Sequence, residues 1–342
     1  MCSARVAVLS TGGTIASVRS AGVAGVRASV PVARLLGALG PLPGVEIGPV
    51  EELSRVNSWN VDLDLMERVA AAVRRLAADP GVDGIVVTHG TDTLEETAFY
   101  VDVTTDAAAP VVFTAAMRSA DDPDADGPGN LAAALRAAAA PELRGLGALV
   151  CLRGEVHAAR AVRKWHTARP DAFGGPAGPL ATIAADGTVR RTDDRPLPRW
   201  SDRPARAEPD TVPIVQAYTG MSPAVVRAVA AATGARGLVV EGFGLGHVPA
   251  AAAGAIRDLV ADGVVVVVAT RVPSGGTRVV YGGPGGGTDL ASIGVLEAGD
   301  LSAAQARLLL HNCLAGRDAA AATRAFRAAV KALGRDPSQH GE

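Results

Sequence analysis

Short apolar runs alternate with segments of helical periodicity along most of the chain, and this alternation limits the possible folds most strongly. Strands that alternate with helices in this way predict βαβ units and a parallel sheet covered by helices. Strands are predicted at residues 6–9, 84–87, 110–114, 146–152, 212–216, 237–241 and 264–270. Helices are predicted at residues 32–39, 65–78, 94–103, 130–140, 223–233, 249–261, 301–314 and 319–333.

Chain length and composition agree with an α/β protein. The 342 residues exceed the usual size of one hydrophobic core, so one large or two unequal domains are expected. Apolar residues make up 48% of the chain, which is enough to bury a core, but aromatic residues make up only 3%. The core must therefore consist mainly of Val, Ala and Leu, a composition that suits buried parallel strands.

A segment dense in arginine, aspartate and proline divides the pattern in two. Proline fixes its own φ and lacks an N–H, so the prolines at 196, 198, 204 and 209 leave no regular element in that stretch. The α/β pattern restarts beyond it. We therefore predict an α/β N-terminal domain with a parallel sheet at 1–190, a linker at 191–211, and a smaller α/β C-terminal domain at 212–342.

Charge and cysteine content exclude several classes of partner. The formal net charge is −2, whereas a nucleic-acid-binding protein shows a basic domain or stripe, so no nucleic acid is expected. The apolar runs are too short to span a bilayer. The three cysteines have no metal-type spacing, and the N-terminal segment lacks a signal-peptide pattern. A cytoplasmic protein without a metal or disulfide framework is expected.

Two predicted strands end in segments that carry chemical groups. Residues 10–14 read Ser-Thr-Gly-Gly-Thr, and residues 88–93 read Thr-His-Gly-Thr-Asp-Thr. In open α/β sheets ligands bind at the carboxyl ends of the strands. Glycine lets the backbone approach a ligand, threonine supplies a hydroxyl, and Asp92 supplies a charge.

Each segment taken alone also has an ordinary structural interpretation. The first is typical of a strand-to-helix turn or a phosphate cradle, but the glycine patterns of nucleotide-binding loops are absent. His89 can be a packed turn histidine, and Asp92 can be the N-cap of the following helix. Outside these two segments, Lys164 follows Arg163 in sequence and can be an ordinary solvated surface lysine.

Taken together and in order, six segments resemble the bacterial-type L-asparaginases. The resemblance extends from about residue 5 to about residue 330 and implies two α/β domains, a larger N-terminal and a smaller C-terminal one. The segments are STGGTIA at 10–16, THGTDTLEETA at 88–98, AAMR at 115–118, DGPGNL at 126–131, GFGLG at 242–246 and TRVPSG at 270–275.

The resemblance implies hydrolysis of L-asparagine to L-aspartate and ammonia, without a metal or organic cofactor. Thr14 would be the nucleophile that attacks the side-chain amide. Thr91, Asp92 and Lys164 would form a hydrogen-bonded set similar to a Ser-His-Asp relay. Because either threonine can be the first to attack in this chemistry, Thr91 is also interpreted as catalytic.

The same resemblance assigns the substrate-binding groups and the assembly. Ser58 would hold the substrate α-carboxylate and Asp92 its α-ammonium group, while backbone groups of Gly90 and Ala116 would contact the substrate and form an oxyanion hole. The family forms an intimate dimer, usually assembled as a tetramer. Each site there lies between the N-terminal domain of one subunit and the C-terminal domain of its neighbour.

Several positions depart from the family pattern. The tyrosine expected on the loop at 17–29, interpreted here as mobile, is replaced by Arg27, and its acidic partner is missing from residues 278–282. Tyr281 is a candidate substitute. Trp59 replaces a common glutamine, which predicts poor glutaminase activity because the indole crowds a longer side chain. His247 replaces an asparagine that contacts the substrate.

Two alternatives to an active asparaginase stay open. The missing tyrosine and acid favour a catalytically impaired homologue that binds an amino acid. The other alternative is the asparaginase-like subunit of a tRNA-dependent amidotransferase. Those subunits carry an extra N-terminal domain, whereas this chain starts directly at its first strand, and its near-neutral charge argues against tRNA contact.

Overall fold

The computed structural model of the chain describes residues 3–19, 22, 25–192, 197–202 and 211–334. The chain forms two compact units, Met1–Leu197 and Pro198–Glu342. Their division falls inside the predicted linker, but residues 193–196 and 203–210 of that linker lie outside the described residues. The linker and its boundaries therefore stay a prediction, apart from a strand that extends into it as far as Arg191.

The first unit is built on an eight-stranded sheet in the order β12-β11-β8-β7-β6-β5-β1-β4, and β9–β10 and β2–β3 form two small antiparallel ladders. The strands are β1 Ala4–Gly12, β2 Ser17–Arg19, β3 Val26–Ala28, β4 Val45–Val56, β5 Gly84–Thr88, β6 Val111–Thr114, β7 Ala148–Leu152, β8 Glu155–Ala158, β9 Arg163–Lys164, β10 Phe173–Gly174, β11 Ala181–Ile183 and β12 Val189–Arg191.

The large sheet is mixed rather than purely parallel. Strands β4, β1, β5, β6 and β7 pair in parallel, as the alternating pattern predicts. Strands β8, β11 and β12 extend this sheet by antiparallel pairing. These short strands lack long apolar runs, so their pairing was not predictable from periodicity. The predicted two-domain α/β class is confirmed.

Helices of the first unit cover the sheet because each buries an apolar face. In α2 the residues Leu65, Val69, Val73 and Leu76 are buried, as their spacing predicts. The Asp62 carboxylate begins this helix by accepting a hydrogen bond from the Leu65 N–H. The helices are α1 Val32–Gly37, α2 Leu63–Ala77, α3 Leu94–Thr104 and α4 Gly127–Ala139, with short 3₁₀ turns at Thr14–Ala16, Ser58–Asn60 and Pro141–Leu143.

The second unit is a smaller parallel sheet in the order β13-β14-β15-β16, with five helices in its described residues. The Asp318 carboxylate caps the last helix by accepting a hydrogen bond from the Ala321 N–H. The elements are β13 Ile214–Gln216, α5 Pro223–Thr233, β14 Gly237–Gly242, α6 Ala250–Ala261, β15 Val265–Thr270, α7 Gly287–Ser292, β16 Leu296–Glu297, α8 Ala303–Leu314 and α9 Ala319–Leu333.

The segment after Thr14, predicted as a mobile loop, contains β2 and β3, which pair in antiparallel orientation. Residues 20, 21, 23 and 24 of this segment lie outside the described residues. Throughout the part of the chain that the structure describes, no helix combines the length and apolarity that a membrane span requires.

Candidate active site

The two predicted motifs meet at one edge of the large sheet. Strands β1 and β5 are parallel neighbours, and Ser10 is paired with Thr88 near their carboxyl ends. The Thr11 hydroxyl donates a hydrogen bond to the Thr88 carbonyl at 3.2 Å. The motifs therefore leave the sheet side by side, at the edge where open α/β folds bind ligands.

Two glycines bring the motifs into direct contact. Gly13 has a φ of +80°, and a Cβ added there would lie 2.3 Å from the Gly90 Cα. A Cβ on Gly90 would lie 2.6 Å from the Ser58 Oγ. Only residues without a side chain permit this approach. Thr14 and Thr91 each follow one of the touching glycines in sequence, so both threonines come directly after this backbone contact.

Thr14 opens the 3₁₀ turn Thr14–Ala16 and is half-buried. The next two residues, Ile15 and Ala16, are buried and anchor the turn in the core. No hydrogen bond involves the Thr14 hydroxyl among the residues that the structure describes. The half-buried side chain is therefore not held in place by an internal hydrogen bond of its hydroxyl.

Thr91, Asp92 and Lys164 form a connected polar set. The Lys164 ammonium donates to the Thr91 Oγ1 at 2.9 Å and to the Asp92 Oδ1 at 2.7 Å. Thr91 is only 5% exposed, whereas the Asp92 side chain is about half exposed. Asp92 is not the N-cap of α3, since Thr93 occupies that position, and Lys164 is not a free surface lysine.

Lys164 is also held through its main chain. Its N–H donates to the Glu95 Oε2 at 2.5 Å, across 69 residues of sequence. Glu95 lies in the first turn of α3, directly after the motif that supplies Thr91 and Asp92. Burial raises the pKa of the Glu95 carboxyl, an effect that the hydrogen bond from Lys164 opposes. The motif pattern did not single out Glu95, although it lies inside the second segment.

Ser58 is tied to the second motif by two hydrogen bonds. Its Oγ accepts from the Asp92 N–H at 3.1 Å, and its carbonyl accepts from the Thr93 hydroxyl at 2.7 Å. Ser58 is buried, whereas the next residue, Trp59, is 66% exposed. The sequence-predicted serine thus lies beside Gly90 and Asp92, with an exposed indole adjacent to it.

His89 is a packed histidine of the second motif. Its Nδ1 lies 2.8 Å from the Gly90 carbonyl, and its Nε2 has no hydrogen-bond partner within the described chain. Complete burial lowers the pKa of His89 to about 4, against the smaller opposing effect of the Gly90 carbonyl. The ring is therefore neutral at pH 7, and Nδ1 must carry the proton that it donates to Gly90.

Ala116 lies at the same sheet edge, after β6, which is the parallel neighbour of β5. The loop that contains it is fixed from α4. The Asp126 carboxylate accepts from the N–H groups of Met117 at 3.0 Å and Arg118 at 2.9 Å. Asn130 donates from its Nδ2 to the Ala115 carbonyl at 2.9 Å.

The other predicted positions lie outside the two strand-end motifs. Arg27, where the family has its loop tyrosine, is exposed on β3 opposite Val18. His247 belongs to the second unit, where its ring meets Tyr281 edge-on with centroids 5.2 Å apart. Tyr281 is 59% exposed. Among the described residues, no group of three or more His, Cys, Asp or Glu side chains could hold a metal ion.

Family comparisons match almost the whole chain. The family model for the asparaginase N-terminal domain matches residues 5–195. The model for the glutaminase/asparaginase C-terminal domain matches residues 211–326. A probable L-asparaginase of Deinococcus radiodurans is 40% identical over 310 residues, which cover 90% of this chain and 91% of that protein.

Further relatives extend the comparison. The crystal structure of a probable cytoplasmic L-asparaginase from Campylobacter jejuni superposes with a TM-score of 0.83 at 30% identity, covering 95% of this chain and 99% of that one. One subunit of the glutamyl-tRNA(Gln) amidotransferase of Halobacterium salinarum is 33% identical over 332 residues, or 92% of this chain and 76% of that protein.

The fold, the paired strand-end motifs and these matches define an amide hydrolase built from two α/β units. The chain belongs to the asparaginase family. The family predicted from the motifs is confirmed, and with it the predicted enzyme class, a hydrolase of the L-asparaginase type.

Proposed function

We propose that the protein hydrolyses L-asparagine to L-aspartate and ammonia through a threonine nucleophile, with glutamine as a poor substrate. One observation carries this proposal. Lys164 donates to both the Thr91 hydroxyl and the Asp92 carboxylate, next to the touching glycines that precede Thr14 and Thr91. A weak hydroxyl nucleophile needs this kind of activating neighbour.

Substrate binding uses the groups at the sheet edge. The Ser58 region receives the α-carboxylate, and the half-exposed Asp92 carboxylate pairs with the α-ammonium group. Backbone groups at Gly90 and Ala116 contact the substrate amide and stabilise the developing oxyanion. A single oxyanion donor contributes about a hundred- to a thousand-fold in kcat.

In the first chemical step the Thr14 oxygen attacks the side-chain amide carbon. The carbon–nitrogen bond then breaks, and the leaving group takes up the hydroxyl proton and departs as ammonia. Water attacks the acyl-enzyme in the second step, releases aspartate and returns a proton to the threonine. Both steps need a group that accepts and returns a proton close to the reacting oxygen.

Thr91 and Lys164 supply this proton relay. Lys164 accepts a proton from the Thr91 hydroxyl when its amine is neutral, and the Asp92 carboxylate stabilises the ammonium that results. The relay activates either a threonine for the first step or water for the second. For this reason Thr91 is assigned a catalytic role together with Thr14.

The departures from the family pattern bear on efficiency and specificity. Trp59, adjacent to Ser58, narrows the space for a substrate one methylene longer than asparagine. Without the loop tyrosine, activation of Thr14 relies on the Lys164 relay, and Tyr281 is the candidate replacement from a neighbouring subunit. We propose a homodimer or homotetramer in which His247 completes the substrate site. The proposed enzyme is cytoplasmic and uses no metal, nucleic acid or membrane.

The test is ammonia release from asparagine and from glutamine by the purified protein, beside Thr14→Ala and Lys164→Met. We expect asparagine turnover that each substitution lowers by at least about a thousandfold, on the scale known for removal of a catalytic nucleophile or base. We also expect a smaller kcat/KM for glutamine. Equal kcat/KM values for the two amides would contradict the role of Trp59.

Two other functions give different outcomes in the same assay. The similarity to the Halobacterium salinarum protein favours a component of a tRNA-dependent amidotransferase as the second candidate. Such a protein would release ammonia only when its partner protein is present. A catalytically impaired binding protein would release none, and asparagine or aspartate would raise its melting temperature.

A further inference from the structure

Glu95 is a partly buried acidic residue that the proposed relay does not use. It lies in the first turn of α3, and its Oε2 accepts the Lys164 main-chain N–H at 2.5 Å. Hydrogen bonds to a carboxylate are shorter and stronger than those between neutral groups. Partial burial of a charged carboxylate costs free energy unless hydrogen bonds compensate it, and the Lys164 N–H supplies such a hydrogen bond to Glu95.

Lys164 is held at two points by one short stretch of chain. Thr91 and Asp92 accept from its ammonium, and Glu95 accepts from its main-chain N–H. All three acceptors belong to the loop and first turn of α3. Hydrogen bonds therefore join both the side chain and the main chain of Lys164 to α3 and the loop before it.

The local strand around Lys164 is short. Strand β9 comprises only Arg163–Lys164 and pairs with the two-residue β10. A lysine side chain has four flexible methylenes, so fixing its Cα restricts the positions that its ammonium occupies. The hydrogen bond to Glu95 joins this short ladder directly to α3.

We propose that Glu95 is a positioning residue for amide hydrolysis. Its carboxylate fixes the main chain of Lys164, so that the lysine ammonium contacts both Thr91 and Asp92. This inference rests on the proposed catalytic role of Lys164. It adds to the relay a residue that touches neither substrate nor reacting atoms.

The test compares Glu95→Gln with Glu95→Met. Glutamine keeps an oxygen that accepts the Lys164 N–H, whereas methionine fills similar space without an acceptor for it. We expect Glu95→Met to lower kcat for asparagine by about 10- to 100-fold with KM changed less than about threefold, since a small misplacement of a catalytic group costs up to about a hundredfold. Glu95→Gln should retain kcat within about threefold.

Two further measurements distinguish a positioning role of Glu95 from a general effect of the substitution on folding. Glu142→Gln, at an exposed glutamate in the turn Pro141–Leu143, is the control and should leave kcat and melting temperature unchanged. In a Lys164→Met background, Glu95→Met should cause no additional loss in the residual rate, because its effect passes through the lysine. An equal loss in both backgrounds, or equal kcat for the Gln and Met variants, would overturn the inference.

The same variants distinguish failure of the relay from failure of the Glu95 role. If Lys164→Met retained the wild-type rate, the proposed relay itself would be wrong. If Lys164→Met lost activity while Glu95→Met kept it, only the role of Glu95 would fail. A folding defect in Glu95→Met would appear as a lower melting temperature. The Gln variant would then decide: a retained kcat supports positioning through the hydrogen bond, and a loss of kcat as large as in Glu95→Met overturns the inference.

Discussion

At the scale of single residues, the site depends on contacts that leave no room for a side chain. Gly13 and Gly90 touch through their backbones, and each is followed by one of the two threonines assigned to catalysis. The sequence marks these positions as glycines, but a glycine in a turn also has other uses. Their mutual contact depends on the pairing of β1 with β5.

We predict that Gly13→Ala lowers both stability and activity. The new Cβ would meet the Gly90 backbone at 2.3 Å, in addition to the strain of a positive φ. The free energy of unfolding in urea should fall by about 3 kcal/mol or more. Gly178→Ala is the matched control, because Gly178 has a φ of +69° and open space around it, so only the strain applies. An equal loss in both variants would show that the contact has no effect.

At the scale of elements, helices fix the loops that carry the site. The α3 first turn holds Lys164, and Asp126 at the start of α4 holds the loop that contains Ala116. The helix positions were predictable from periodicity, since α5 and α9 occupy the predicted ranges and α2, α3 and α6 differ only at their ends. Strand β4, without a strong apolar run, was not predicted.

Asp126→Ala is expected to weaken catalysis through the Ala116 loop. The substitution removes the acceptor for two backbone N–H groups, and losing hydrogen bonds to a charged group costs about 1.5–3 kcal/mol each. The kcat/KM for asparagine should fall by about tenfold or more. Asp126→Asn keeps one acceptor oxygen and should lose less. Unchanged kinetics in the alanine variant would exclude a role of this loop in catalysis.

At the scale of the whole molecule, His89 couples global stability to pH. Its pKa is about 4 in the folded chain and about 6.5 when unfolded, so the unfolded state binds the extra proton between these values. Its contribution to stability is complete above pH 6.5 and is lost as the pH falls towards 4. The lowered pKa of His89 alone corresponds to a loss of about 3 kcal/mol in the free energy of unfolding.

Urea unfolding of the wild type and of His89→Gln at pH 7 and pH 4 tests this coupling. The wild type should lose more stability than the variant over this interval, because glutamine does not titrate. A parallel loss in both proteins would mean that His89 has a similar pKa in the folded and unfolded states, which contradicts the lowered pKa of the buried ring.

The sequence by itself determined the α/β class and most helix and strand ranges, and it predicted the residues of the site. Hydrophobic periodicity and strand-end motifs are local properties of the sequence. They can be read from windows of a few to about 18 residues, so they predict helices and strands without the tertiary structure. The order of the motifs also determined the family. The same order also predicts site roles for Thr14, Thr91, Asp92 and Ser58 without any geometry.

Only the tertiary structure decided which of these groups meet and what holds them. The antiparallel strands β8, β11 and β12, the contact of Gly13 with Gly90, and the hydrogen bond from Lys164 to Glu95 all join distant parts of the chain. Such pairings follow from how strands order themselves within a sheet, which no local pattern encodes. The same physical reason explains why Lys164 could be named from the motif order, while its support by Glu95 could not.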